Sequence, residues 1–214
     1  MLATRLIVLR HGETAWNVLT RLQGHTDIGL NSTGEWQAQR LAEALADEAL
    51  SAVVCSDLMR AHATAMKVAR PHGLEPVTER GLRERCFGSL EGQTWAEVTQ
   101  NQPEAAQQWR SRAPDWAPPQ GESLIALQER VVHVVNTWAA RFTGEQVALV
   151  AHGGVLDVLY RWATGLPLQA PRSWTLPNAA INRLLWTPQG VSMVGWGDVR
   201  HLEGPRTAAE ETTC

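Results

Sequence analysis

The chain has 214 residues, 44% of them hydrophobic, with a formal charge of -3 and a pI near 6.2. That length suffices for one large domain with a full core, and the acidic balance lacks the clustered Lys/Arg of a nucleic-acid surface. No apolar run reaches membrane-spanning length, and three cysteines (Cys55, Cys86, Cys214) without ligand-like spacing argue against a disulfide framework or a zinc site.

In chain order, MLATRLIVLRHG has a short apolar run that flows straight into polar residues, so no signal peptide is expected and a reducing cytoplasm is the default. Its first strand is expected over Arg5 to Leu9. Ser32 with Glu35 forms a possible capping box before the helical run WQAQRLAEALADEAL. A second strand is expected over Leu50 to Cys55, then a helix capped by Asp57 and stopped by Pro71 and Gly73, then a short strand near Glu75 to Thr78. Trp95 to Gln102 and Glu104 to Arg112 read as short helices followed by a Pro-rich loop. Ser123 to Phe142 has a strong amphipathic pattern, Gln146 to Ala151 is a continuous apolar strand, and Gly153 opens a further helix. Two final strands, Ala180 to Trp186 and Val191 to Gly195, flank the turn TPQG. The alternation points to an α/β fold with a mostly parallel central sheet. One domain is expected over residues 1–202, with a small helical lid insertion at about 92–121 and a disordered tail over 203–214.

Two segments share one design. LIVLRHG and VALVAHGG both run from apolar strand to His to Gly. Strand carboxyl ends of a parallel sheet lie along one edge, where ligands bind, so His11 and His152 meet there if their strands are neighbours. The glycines are expected to let a ligand approach the backbone, and the helix from Gly153 aims N–H groups and its dipole at the same spot. Arg60, in the first turn after the strand ending at Cys55, can reach that edge, and with Arg10 it offers fork-shaped donors for phosphate oxygens. A lone Arg in a first turn is usually solvated or ion-paired, but two Arg and two His converging on one edge exceed what packing requires. In LRERCFGSLEG, Glu84 follows a short strand. A carboxylic acid beside a phosphate dianion has its pKa raised by the like charge, as a proton donor near neutral pH requires.

RHGETAWN, SDLMRAHATA, LRERCFGSLEG, GESLIALQER and VAHGG, in this order, resemble the histidine phosphatase superfamily, the phosphoglycerate-mutase-like enzymes. The resemblance runs from Leu6 to about Trp186. It implies a three-layer α/β/α fold with a pocket at the strand ends. His11 then matches the nucleophile that becomes a phosphohistidine, and Arg10, Arg60 and His152 the phosphate pocket. Glu84 matches the general acid that protonates the leaving oxygen and then activates water. Asn17 and the amides near Gly153 add donors, and Gln23-Gly24 falls at the pocket rim. Neither cofactor nor metal is implied, since guanidinium groups take the part magnesium plays elsewhere.

The short segment Gly92 to Gly121 and the sequence His152-Gly153-Gly154 resemble the phosphatase branch rather than the mutases. The expected activity is hydrolysis of a small phosphorylated metabolite by a cytoplasmic monomer or homodimer. A mutase and a non-catalytic phosphate-binding module are the alternatives. A cysteine phosphatase is excluded because CSDLMR places four residues, not five, between Cys55 and Arg60. A serine hydrolase elbow is excluded because GESLI lacks its second glycine. His25, His62, His72, His133 and His201 are expected to be structural or solvated, and Cys86 a packing residue. Glu122 either bonds a pocket group or caps the following helix. Trp95, Trp109 and Trp116 are expected to pack the lid, or one of them to touch the leaving group.

Overall fold

The strand and helix patterns assemble around one six-stranded sheet in a computed structural model that describes residues 2–204. The strands are β1 (Thr4–Arg10), β2 (Ala52–Cys55), β3 (Val77–Thr78), β4 (Gln146–Ala151), β5 (Ile181–Thr187) and β6 (Gly190–Asp198). Their order is β3-β2-β4-β1-β5-β6; the first four are mutually parallel, and β5 and β6 run antiparallel at one edge. β1 and β4 are central and adjacent, and this explains their unbroken apolar sequences: both faces are covered, so nothing selects alternation. Leu6 and Val8 point into one core and Ile7 and Leu9 into the other, as the two-residue period of a strand demands.

Helices α2 (Ser32–Ala44) and α3 (Met59–Ala69) cover the Ile7/Leu9 face, and α6 (Leu124–Arg141) and α7 (Gly153–Thr164) cover the other. Three short helices complete the set: α1 (Ala15–Val18), α4 (Trp95–Asn101) and α5 (Pro103–Arg110). A third apolar cluster of Phe87, Leu90, Val98 and Ala106, with Trp95, Trp109 and Trp116 packed against it, gives α4 and α5 a small core of their own.

Three local expectations need correction. Asn31, not Ser32, caps α2, its Oδ1 accepting from Gly34 N at 2.8 Å, and α2 ends at Ala44 so that Ser51 N–H can return to Gln146 C=O. Asp57 does not cap α3 because Arg83 holds both its oxygens at 2.7 Å; Asp27 instead accepts from Met59 N at 2.8 Å. α1 was not foreseen. It is a single turn, too short for a periodic signal, made by Thr14 and Asn17 capping each other. The expected tail lies outside the described residues except for Glu203 and Gly204.

Candidate active site

The sheet register brings the two His-Gly sequences together. Arg10 stands opposite Ala151 in the β1–β4 ladder, so the next residues, His11 and His152, leave the sheet side by side. Their ring centroids are 5.1 Å apart. His11 N donates to Ala151 C=O at 3.0 Å, and Asn178 Nδ2 donates to His11 C=O at 3.0 Å, which fixes the backbone on both sides.

The His11 ring has one defined orientation. Its Nδ1 lies 2.7 Å from Gly12 C=O, which can only accept, so the proton sits on Nδ1 and the lone pair on Nε2. Burial, reinforced by the Arg10 and Arg60 charges, holds His11 well below the ordinary histidine pKa. His152 is depressed in the same direction by burial, then by Arg60, His11 and Arg10. Both rings are neutral at pH 7.

Arg60 is fully buried in the first turn of α3, with Nη2 donating to Gly24 C=O at 2.7 Å and Nη1 to Thr26 C=O at 3.0 Å. Arg10 donates through Nη1 to Leu176 C=O. Burial lowers its pKa to about 10, opposed by Glu84 and assisted by Arg172 and Arg60. Among the described residues, Arg10 Nε, Arg60 Nε and both ring nitrogens of His152 are buried without a hydrogen-bond partner. Buried donors left unpaired carry a desolvation cost of about 1–3 kcal/mol each, so their concentration beside His11 marks a place made for an acceptor-rich anion.

Glu84 reaches this place from the loop after β3. Its carboxylate accepts from Gly154 N at 2.9 and 3.1 Å and from Arg85 N at 2.8 Å. The α7 N-terminus thus anchors Glu84. A Cβ on Gly154 would collide with Glu84 Oε1, while Gly153 has ordinary room. Gly12 needs a different reading from the expected one: a Cβ on it would strike the Gly34 carbonyl, so it serves the approach of α2 rather than of a ligand.

The pocket, about 440 Å³, is lined by Arg10, His11, Asn17, Gln23, Gly24, Arg60, Glu84 and Gly153. Every candidate site residue except His152 is in that wall; His152 is fully buried, its ring against that of His11. Asn17 uses Oδ1 for Thr14 N and Asn178 Nδ2, which leaves its NH2 for a ligand. Trp95 and Trp109 pack together, with ring centroids 4.5 Å apart, and also line the pocket; Trp116 is absent from the wall and packs near Arg85.

Several contributors lie within or near the quoted blocks, most of them without a role that the sequence assigns. Glu91 accepts from His25 N, Thr26 N and Thr26 Oγ1 at 2.6–2.9 Å and so holds the 24–26 loop that grips Arg60. Arg130 donates to the Gly81, Arg83 and Glu84 carbonyls at 2.8–2.9 Å and is itself held by Glu122 at 2.7 and 2.8 Å. Glu122 therefore pairs with an arginine, and Ser123 supplies the α6 cap. His25, expected to be structural, places its Nε2 2.8 Å from Glu84 C=O and supports the same loop. Arg85, Arg112, Asp157 and Arg172 line the outer pocket.

The sequence profile of the histidine phosphatase superfamily (branch 1) matches residues 6–199. A metal-independent phosphoserine phosphatase of Arabidopsis thaliana is 38% identical over 202 residues, 93% of this chain and 83% of the relative. Phosphoglycerate mutase-like protein 4 of the same plant is 40% identical over 207 residues, 92% of this chain and 86% of the relative. Among solved structures, the mycobacterial glucosyl-3-phosphoglycerate phosphatase superposes with a TM-score of 0.81 at 33% identity, covering 91% of this chain and 99% of that one.

Proposed function

Because this chain belongs to the histidine phosphatase superfamily, branch 1, we propose that it hydrolyses the phosphate ester of a small metabolite through a phosphohistidine on His11. It is a phosphoric monoester hydrolase. The observation that carries the reading is the buried, neutral His11, its Nε2 free because Nδ1 faces Gly12 C=O, beside Arg10, Arg60 and Glu84.

In the first half-reaction, His11 Nε2 forms a bond to phosphorus as the ester P–O bond opposite it breaks. Glu84 gives its proton to the departing alkoxide oxygen. Arg10, Arg60 and Asn17 hold the equatorial oxygens, whose charge shifts during transfer, and preorganised donors in a dry pocket favour that redistribution. His152 supports the His11 ring and the bound oxyanion. In the second half-reaction, Glu84 takes a proton from water as its oxygen attacks phosphorus, the P–Nε2 bond breaks and inorganic phosphate leaves. Gln23, Gly24 and Gly153 shape the rim. None of these steps calls on a metal.

Relatives named as mutases keep phosphoryl transfer between two hydroxyls as the second reading. The proposed setting is the cytoplasm, consistent with Cys55 and Cys86 both being free thiols. The test is to quench the protein during turnover of a labelled aryl phosphate with chelator present. Acid-labile label on the wild-type protein and none on His11→Ala is expected, with free phosphate as product. Label retained by His11→Ala would refute the assignment, and phosphate moving between substrate hydroxyls would favour the mutase.

A further inference from the structure

The chain between α7 and β5, residues 165–180, has no helix or strand, yet it closes one side of the pocket. Arg172 lines the wall, Leu176 C=O accepts from Arg10 Nη1, and Asn178 Nδ2 donates to His11 C=O at 3.0 Å. An irregular segment with few buried apolar contacts opens locally at small cost unless something ties it down. This one is also held against a repulsion: after burial, the Arg172 charge is the next influence that lowers the Arg10 pKa.

Within residues 165–178 two side chains are buried, Leu168 and Trp174, and the neighbours of Trp174 from Pro171 to Thr175 are all exposed. The Trp174 ring stacks on Tyr160 of α7, with centroids 3.9 Å apart and planes inclined by 14°. Tyr160 meets the Trp196 ring of β6 nearly edge-on at 5.0 Å, and Trp196 Nε1 donates to Thr175 C=O at 3.2 Å, which closes the cluster back on the same segment. The Arg161 guanidinium lies 4.8 Å from the Trp174 ring centre and its Nη1 donates to Pro167 C=O at 2.6 Å.

Core packing alone accounts for a buried tryptophan but not for its place in the chain. Trp174 is outside the pocket wall and stands two residues before the carbonyl that takes Arg10. That carbonyl is the one hydrogen-bond partner of the Arg10 side chain among the described residues, and Arg10 Nε is buried with none. A guanidinium is planar, so a bond at Nη1 restricts the plane in which its other donors face an anion. Building on the phosphatase reading, we infer that Trp174 is a positioning residue for the phosphate site. Clamped on Tyr160, it holds the Leu176 carbonyl against Arg10 and so sets how Arg10 meets a tetrahedral oxyanion.

The test titrates tungstate, a tetrahedral dianion, calorimetrically into wild type, Trp174→Ala, Arg10→Ala and the double variant, with thermal unfolding recorded for each. Trp174→Ala is expected to weaken tungstate about 10-fold, the yield of one well-placed charge-assisted hydrogen bond. Trp174→Phe should recover most of that, because a phenyl ring still stacks on Tyr160. In the Arg10→Ala background the Trp174→Ala change should cost less than about 2-fold, since the group it positions is gone, whereas its effect on the unfolding temperature should be the same in both backgrounds. Trp196→Phe keeps the ring and removes only the donor to Thr175 C=O. It should fold whatever becomes of Trp174→Ala and show a loss of about 3-fold that Arg10→Ala also abolishes. Equal losses of tungstate binding in the two backgrounds, or no loss where Arg10 is present, would overturn the inference. Wild-type protein that shows this coupling but releases no phosphate from 4-nitrophenyl phosphate would sink the phosphatase reading and leave the role of Trp174 standing.

Discussion

Gly154→Ala separates the two services that α7 performs, packing and positioning. Gly154 has helical, not left-handed, backbone, so an added methyl costs nothing in conformation and raises helix propensity by up to about 1 kcal/mol. The methyl would, however, occupy the space of Glu84 Oε1, and its other near neighbour, Leu127 Cδ2 at 3.5 Å, is at ordinary contact. The flexible carboxylate is the group that yields. It has to move by roughly 1 Å, a misplacement that costs about 100-fold in catalysis when a reacting group is involved. General acid–base assistance contributes some 10²–10⁴-fold overall, so the loss should lie in that range for an alkyl phosphate, whose alkoxide needs the proton. A 4-nitrophenyl ester departs without much help and should lose far less in the phosphorylation step. Rapid-quench kinetics on both esters, with thermal unfolding in parallel, reads all three quantities. Equal losses on the two esters, or a fall in stability matching the fall in activity, would refute Glu84 as the displaced proton donor.

Because burial keeps His11 and His152 neutral, the unfolded chain binds more protons than the native one once pH drops below about 6.5. Stability is therefore fully present above that value and lost as pH falls from it, by up to about 1.4 kcal/mol per pH unit for each ring, and urea titrations between pH 7 and 5 should show a slope that His152→Asn reduces. Glu91→Gln should weaken the 24–26 loop that holds Arg60, lowering kcat/KM about 10-fold while the circular dichroism spectrum is retained; an unchanged rate would mean that Arg60 is positioned without it. Arg60→Lys should fare nearly as badly as Arg60→Ala, because an ammonium cannot reach the Gly24 and Thr26 carbonyls and an oxyanion in one plane; rescue by lysine would contradict this.

The inner site was legible and the outer one was not, for a reason that lies in how residues reach a pocket. β1 and β4 carry apolar runs that end in His-Gly, and adjacency of parallel strands converts that sequence repeat into two rings 5.1 Å apart. Arg60 follows a strand by a fixed first turn, and Glu84 stands in a recognisable block. The two histidines and Arg60 are placed by regular structure whose period can be counted, whereas Glu84 lies in the loop after β3 and was legible only through its block. Arg112, Asp157 and Arg172 come instead from the turn just past α5, the buried side of α7 and the loop before β5, with no common period and no spacing that relates them. The expectation for Gly12 failed for the same cause, because it answers to the α2 backbone, and the service of Gly154 to a side chain from 70 residues earlier is equally invisible in the local sequence. On the proposed function, a fold of this kind writes its phosphate chemistry into strand ends and leaves the rest of the pocket wall to loops. Substitution at the outer cations should accordingly change which ester is chosen before it changes how the P–O bond is broken.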